Sequence, residues 1–115
     1  MLYKGHCHCG RIAFKVEGTL TEAMSCNCSL CQRKGSLMWF VPRKKMHLLT
    51  PDENASTYTF HKHIIKHRFC PVCGVHTYGE GTDPKGNRMV AINIRCLEKI
   101  NLDSIPVVQC DGLSK

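Results

Sequence analysis

The spacing of the cysteines constrains this chain more than any other feature. Seven of its nine cysteines fall in three tight groups, Cys7-x-Cys9, Cys26-x-Cys28-x-x-Cys31 and Cys70-x-x-Cys73, while Cys96 and Cys110 stand alone. A chain of 115 residues buries only about two-thirds of the surface its unfolded form exposes, so a staple adds much to its margin of stability. The staple is metal rather than disulfide. An odd number of cysteines cannot pair completely within one chain. The N-terminal MLYKGHCHCGR also carries no apolar stretch of signal-peptide length, which predicts a cytoplasmic protein whose thiols stay reduced. The longest uncharged apolar run, Leu37 to Val41, ends at Pro42 and is far too short to span a membrane.

The CxxC pair is half a metal site in itself, because a tight turn aims both sulfurs at one point about 2.3 Å from each. Cys70-Pro71-Val72-Cys73-Gly74 has the chemistry of that turn: Pro71 sets φ early, and Gly74 permits a positive φ just after it. Cys7 and Cys9 need the chain to bend, since residues two apart in a regular strand share a face but run nearly parallel, and Gly5 and Gly10 flank them. Zinc takes four ligands in a structural site, and three plus an exchangeable position in a catalytic one. The clustered cysteines divide as four and three. Cys7, Cys9, Cys70 and Cys73 make a closed site joining distant parts of the chain, and Cys26, Cys28 and Cys31 make a second, open one at a strand-to-helix junction. The count also allows Cys7/Cys9 to pair with Cys28/Cys31, leaves room for one triplet cysteine as a small buried hydrophobe, and admits Fe²⁺ in place of zinc.

Around these groups the pattern is that of an all-β chain, a single domain over residues 1–115 without repeat or linker. Arg11 to Glu17 alternates, with Ile12, Phe14 and Val16 on one side and Arg11, Lys15 and Glu17 on the other. Met89 to Leu97 alternates as well, with Val90, Ile92, Ile94 and Cys96 on the apolar face and Asn93 and Arg95 opposite. The turn signal Asp83-Pro84-Lys85-Gly86-Asn87 makes a hairpin of Val75 to Ile94. Leu37 to Val41 and Ser56 to Phe60 read as short strands. The one helical piece runs from Ser29, as N-cap, through Lys34, with Gly35 closing it. Cys96 belongs to the core, and Cys110 has no assigned role.

The runs Gly5-His6-Cys7-His8-Cys9-Gly10, Cys26-Asn27-Cys28-Ser29-Leu30-Cys31-Gln32-Arg33-Lys34 and Phe69-Cys70-Pro71-Val72-Cys73-Gly74 resemble the glutathione-dependent formaldehyde-activating (GFA, or centromere protein V/GFA) family, over about residues 5–112. That resemblance implies a β-tent fold of small twisted antiparallel sheets stapled by zinc, a structural zinc on Cys7, Cys9, Cys70 and Cys73, and a looser zinc on Cys26, Cys28 and Cys31. It implies carbon–sulfur lyase or synthase activity on thiol–aldehyde adducts, such as glutathione plus formaldehyde to S-hydroxymethylglutathione. The chain is shorter than the enzyme that gave the family its name.

Charge bears on the partner. Lys and Arg exceed Asp and Glu for a net +7, reduced to about +4 once seven thiolates and two Zn²⁺ are counted. A zinc-stabilised binding module for nucleic acid or an acidic protein is therefore the competing reading, opposed by the spread of the cations along the chain and the lack of a recognition helix or RNA-binding motif. For the enzyme reading, Arg33, Lys34, Arg43, Lys44 and Lys45 lie nearest the triplet in sequence and suit the carboxylates of glutathione, although a charge run is more often a solvated face. His61, His63 and His67 share a side if Thr59 to Phe69 is a strand. His63 and His67 have a zinc-finger spacing but stand too far from Cys31 for such a finger. His6 and His8 should point away from the metal of Cys7 and Cys9, His76 follows the second knuckle, and Trp39 and Phe40 beside Arg43 are either core or a stacking surface.

Overall fold

The alternating segment after Gly10 becomes β2 (Ala13–Glu17) in this computed structural model, which describes residues 1–60, 62 and 64–111. Phe14 and Val16, with Ile12 just ahead, are fully buried. β1 (Leu2–His6) pairs antiparallel with one side of β2, and β5 (Met46–Leu48) with the other, giving a three-stranded sheet. Gly5 is required there by space: a Cβ on it would stand 2.6 Å from Cζ of Phe14, the residue paired with it.

The remaining strands are β3 (Ala23–Cys26), β4 (Met38–Pro42), β6 (Ser56–Tyr58), β7 (Lys66–Phe69), β8 (His76–Thr82), β9 (Arg88–Asn93) and β10 (Val107–Cys110). They form a seven-stranded sheet in the order β10-β3-β4-β9-β8-β7-β6, antiparallel throughout except for the parallel pair β10–β3. Trp39, Val41, Tyr78, Val90 and Ile92 from this sheet join Ile12, Phe14, Val16 and Met46 from the smaller one in a common core. Edge-to-face ring contacts, Phe14 on Tyr78 at 6.2 Å and Tyr3 on Trp39 at 5.5 Å, lock it. The chain is thus mainly β in small sheets, as its sequence predicts, and among the described residues no helix is long and apolar enough to cross a membrane.

Several boundaries differ from the sequence expectation for physical reasons. The strand expected to run from Met89 to Leu97 stops at Asn93, whose side chain accepts the Arg95 N–H and starts a 3₁₀ turn over Ile94–Cys96. Ile94 and Cys96 remain buried, but Asn93, expected on the polar face, is buried too, donating through Nδ2 to the His76 carbonyl at 2.8 Å. The helix, α1 (Ser29–Lys34), is capped by Cys28 and not by Ser29. β6 ends at Tyr58 and β7 begins only at Lys66, so no strand covers Thr59 to Phe69 among the described residues. His61 and His63 lie outside those residues. The hairpin turn is as expected, Asp83 Oδ1 accepting from the N–H groups of Lys85 and Asn87.

Two candidate metal centres

Cys7 and Cys9 lie in the turn after β1, and Cys70 and Cys73 lie in the turn between β7 and β8. The second turn closes with the Gly74 N–H on the Cys70 carbonyl at 2.8 Å and Gly74 at φ +81°. The two turns meet so that all four sulfurs lie within 4.8 Å of one another. Sγ of Cys9 stands 3.7 Å from that of Cys7 and 3.6 Å from that of Cys70. A tetrahedron with metal–sulfur bonds of about 2.3 Å has edges of about 3.8 Å, so the donor set fits zinc in type and size. Backbone N–H groups of Ile12 and Cys73 reach the sulfurs of Cys7 and Cys70 at 3.4 Å, a contact that favours thiolate. At Cys73 desolvation opposes ionisation, but the N–H groups of Val75 and Cys9 and the neighbouring thiols outweigh it and bring the thiol down to about 6. Cys9 moves the other way: the Arg11 N–H lowers it, yet desolvation and the surrounding sulfurs together push it up to about 11. Four thiols at this spacing ionise together only with a cation among them.

The triplet is built from one continuous segment. Cys26 ends β3, Cys28 caps α1, and Cys31 sits in its first turn; their sulfurs also lie within 4.8 Å of one another. Cys26 Sγ accepts from the Cys28 N–H and Cys28 Sγ from the Cys31 N–H, both at 3.4 Å. At Cys28 these backbone and thiol contacts overcome desolvation and lower the pKa, whereas desolvation and the Cys28 sulfur push Cys31 up to about 12. All three cysteines line a cleft of about 660 Å³. Cys110, without an assigned role in the sequence, pairs in parallel register with Cys26 and lines the same cleft.

Of the five cations nearest the triplet in sequence, Lys34 alone lines the cleft. Arg33 donates to the Ser29 carbonyl and Arg43 to the Met46 carbonyl, both at 2.8 Å, while Lys44 and Lys45 are exposed on a 3₁₀ turn. Of the two readings of Trp39 and Phe40, the core one holds for Trp39, whereas Phe40 lines the cleft. Lys34 Nζ contacts His67 Nδ1 at 3.3 Å and His76 Nε2 at 3.4 Å, and His76 Nδ1 contacts Ser36 Oγ at 3.1 Å. Burial, then the Lys34 charge, pushes His67 down to about 4 and His76 to about 3, so both rings are neutral and can accept from the amine. Burial also draws the Lys34 amine below its ordinary range, opposed by the triplet sulfurs. The spacing of the sequence shows none of this cluster, which long-range pairing assembles from α1, β7 and β8. His6 turns from the sulfurs as expected, its Nδ1 on the Cys7 carbonyl at 2.6 Å and its Nε2 3.7 Å from Glu98.

The family model of the glutathione-dependent formaldehyde-activating enzyme matches residues 2–109. The fold is similar to that in the crystal structure of a Rhodobacter sphaeroides protein, 28% identical, with a TM-score of 0.78 over 91% of this chain and 99% of that one. With the match running nearly end to end, the chain belongs to the glutathione-dependent formaldehyde-activating enzyme family.

Proposed function

We propose that this protein is a zinc-dependent carbon–sulfur lyase or synthase acting on thiol–aldehyde adducts, as a single domain over residues 1–115. On this reading Cys7, Cys9, Cys70 and Cys73 hold a structural zinc, and Cys26, Cys28 and Cys31 a second, catalytic one. The observation that carries it is the contrast in ligand number and setting: four cysteines gather between two turns, while three line a cleft of about 660 Å³.

When bound at the triplet, zinc would lower the pKa of an incoming thiol and polarise an aldehyde oxygen. Three thiolates leave such a site one unit negative, which favours thiol chemistry over activation of water. The chain's own groups complete the site. Lys34, whose Nζ contacts His67 and His76 and which lines the same cleft, would donate to the aldehyde oxygen. In the joining direction the S–H bond breaks, the carbon–sulfur bond forms, and the proton ends on the former carbonyl oxygen; the lyase direction reverses each step. Glutathione and formaldehyde are the first pair to test.

Native mass spectrometry of protein purified without chelator under reducing conditions should count two zincs, one of which is displaced or acquires glutathione on addition of the thiol. The same preparation should accelerate exchange between free formaldehyde and its thiol adduct, read by NMR with labelled formaldehyde. One zinc indifferent to thiols, with exchange at the uncatalysed rate, would overturn the proposal.

A further inference from the structure

The seven-stranded sheet is apolar on both faces. Trp39, Val41, Tyr78, Val90 and Ile92 face the core. The residues one position out of phase face the cleft instead, and register brings them together: Met24 opposite Met38, Phe40 opposite Ala91, and Gly79 opposite Ala91 on the other side. Met89 joins them, so three of the chain's five methionines line this one surface, a composition suited to accommodating varied apolar shapes. Gly79 and Gly81, without side chains, deepen it, and Ile65 stands across from both. Phe40 is 52% exposed and Ile64 63%, so the apolar surface faces solvent.

Its charges are few and balanced, and give an anionic ligand such as glutathione no net attraction. Among the described residues the lining cations are Lys34 and Lys62, and the lining carboxylates are Glu80 and Asp83. A cleft of about 660 Å³ is also far larger than formaldehyde requires. We infer that the adduct handled here carries an alkyl or aryl group, seated against Met24, Met38, Phe40 and Met89, with its reactive carbon and sulfur at Cys26, Cys28 and Cys31. This inference rests on the carbon–sulfur reading of the triplet and names its substrate class.

The group can belong to the thiol or to the aldehyde, and the test separates them. Zinc-loaded full-length protein is given hexanethiol with formaldehyde, glutathione with hexanal, and glutathione with formaldehyde; binding of each thiol and of each preformed adduct is measured by calorimetry. One of the two hexyl pairs should exceed glutathione with formaldehyde in kcat/KM by about tenfold or more, with matching tighter binding. Phe40→Asp should remove most of that advantage with zinc content and thermal unfolding unchanged. Met89→Ser should reduce it in the same direction, should Phe40→Asp fail to fold. Tighter binding of glutathione than of either hexyl probe, or an advantage untouched by both variants, would overturn the inference and leave the carbon–sulfur reading standing. Hexyl probes that bind through Phe40 while no pair reacts would support the apolar site and overturn that reading. A second copy of this chain occupying the cleft, seen as a dimer by sedimentation that Phe40→Asp dissociates and that excludes the probes, would also overturn it.

Discussion

The two cysteine clusters use the same ligand chemistry on differently connected stretches of chain. The quartet joins turns far apart in sequence; its Cys7 and Cys70 are wholly inaccessible to solvent, Cys73 is half-buried and Cys9 exposed. The triplet comes from six consecutive residues, its cysteines half-buried and lining a cleft. A site assembled from distant segments exists only when the fold does, so its metal binding is coupled to folding. A site carried on one strand end and one helical turn can gain or lose its ion while the sheets persist. On the proposed reading, that difference in chain connectivity, more than any difference between the sulfurs, separates a staple from a reactive centre.

The largest effect that can break the comparison is the loss of one ligand from each cluster. Structural zinc supplies apparent binding energies of about 10–16 kcal/mol in small zinc domains, comparable with or larger than the whole stability of a chain this size. Cys70→Ser is therefore expected to abolish cooperative unfolding, while Cys28→Ser keeps native circular dichroism and a cooperative transition and loses one zinc by mass spectrometry. Equal loss of structure in both variants would erase the distinction. A milder form of the same experiment needs no mutation. Titration of the zinc-loaded protein with a colorimetric chelator should release metal in two phases separated by about tenfold or more in chelator concentration, with circular dichroism changing only in the second.

A smaller effect probes the packing behind the quartet. Gly5→Ala places a methyl against the Phe14 ring and 3.1 Å from the Cys96 carbonyl. In a packed core this is expected to cost about 1–3 kcal/mol in denaturant unfolding and to leave the triplet's zinc affinity unchanged. Coupled weakening of the triplet would mean that the two centres do not act independently.

How much of this was legible in the sequence depends on the range of the interaction. The alternation of Ile12, Phe14 and Val16 and the knuckle Cys70-Pro71-Val72-Cys73-Gly74 are local patterns, and both became what their spacing implies. β3 and β10 are four residues each, too short for a periodic signal, and they exist as strands because each supplies the other's hydrogen bonds; only that pairing sets Cys110 beside Cys26. The helix was visible but its cap was misplaced, since Ser29 is the better capping residue by type and Cys28 takes the role through its sulfur. The cleft was not visible at all. Met24, Met38 and Met89 are scattered in sequence, and register alone aligns them on one face. Lys34, His67 and His76 likewise gave no signal, because nothing in their spacing says that one amine lies between two rings.

That cluster gives the finest test, because it is acid-sensitive independently of the sulfurs beside it. An unfolded imidazole takes up a proton near pH 6.5, whereas burial and the Lys34 charge hold folded His67 neutral to about 4 and His76 to about 3. Between these values the unfolded chain binds more protons than the folded one, so stability rises with pH across the window. The contribution of the neutral rings is fully present above pH 6.5 and is lost as the pH falls toward 4. Acid also protonates the cysteine ligands, so the informative quantity is a difference between proteins that share those cysteines. From pH 7 to pH 5 the wild type should lose a few degrees more in Tm than His76→Gln, whose amide does not titrate but retains an acceptor for Lys34. Parallel Tm profiles would mean that the His76 ring takes up its proton as readily in the folded state as in the unfolded one. The Lys34 amine would then lack one of its two neutral acceptors, and its placement beside the triplet would need another explanation.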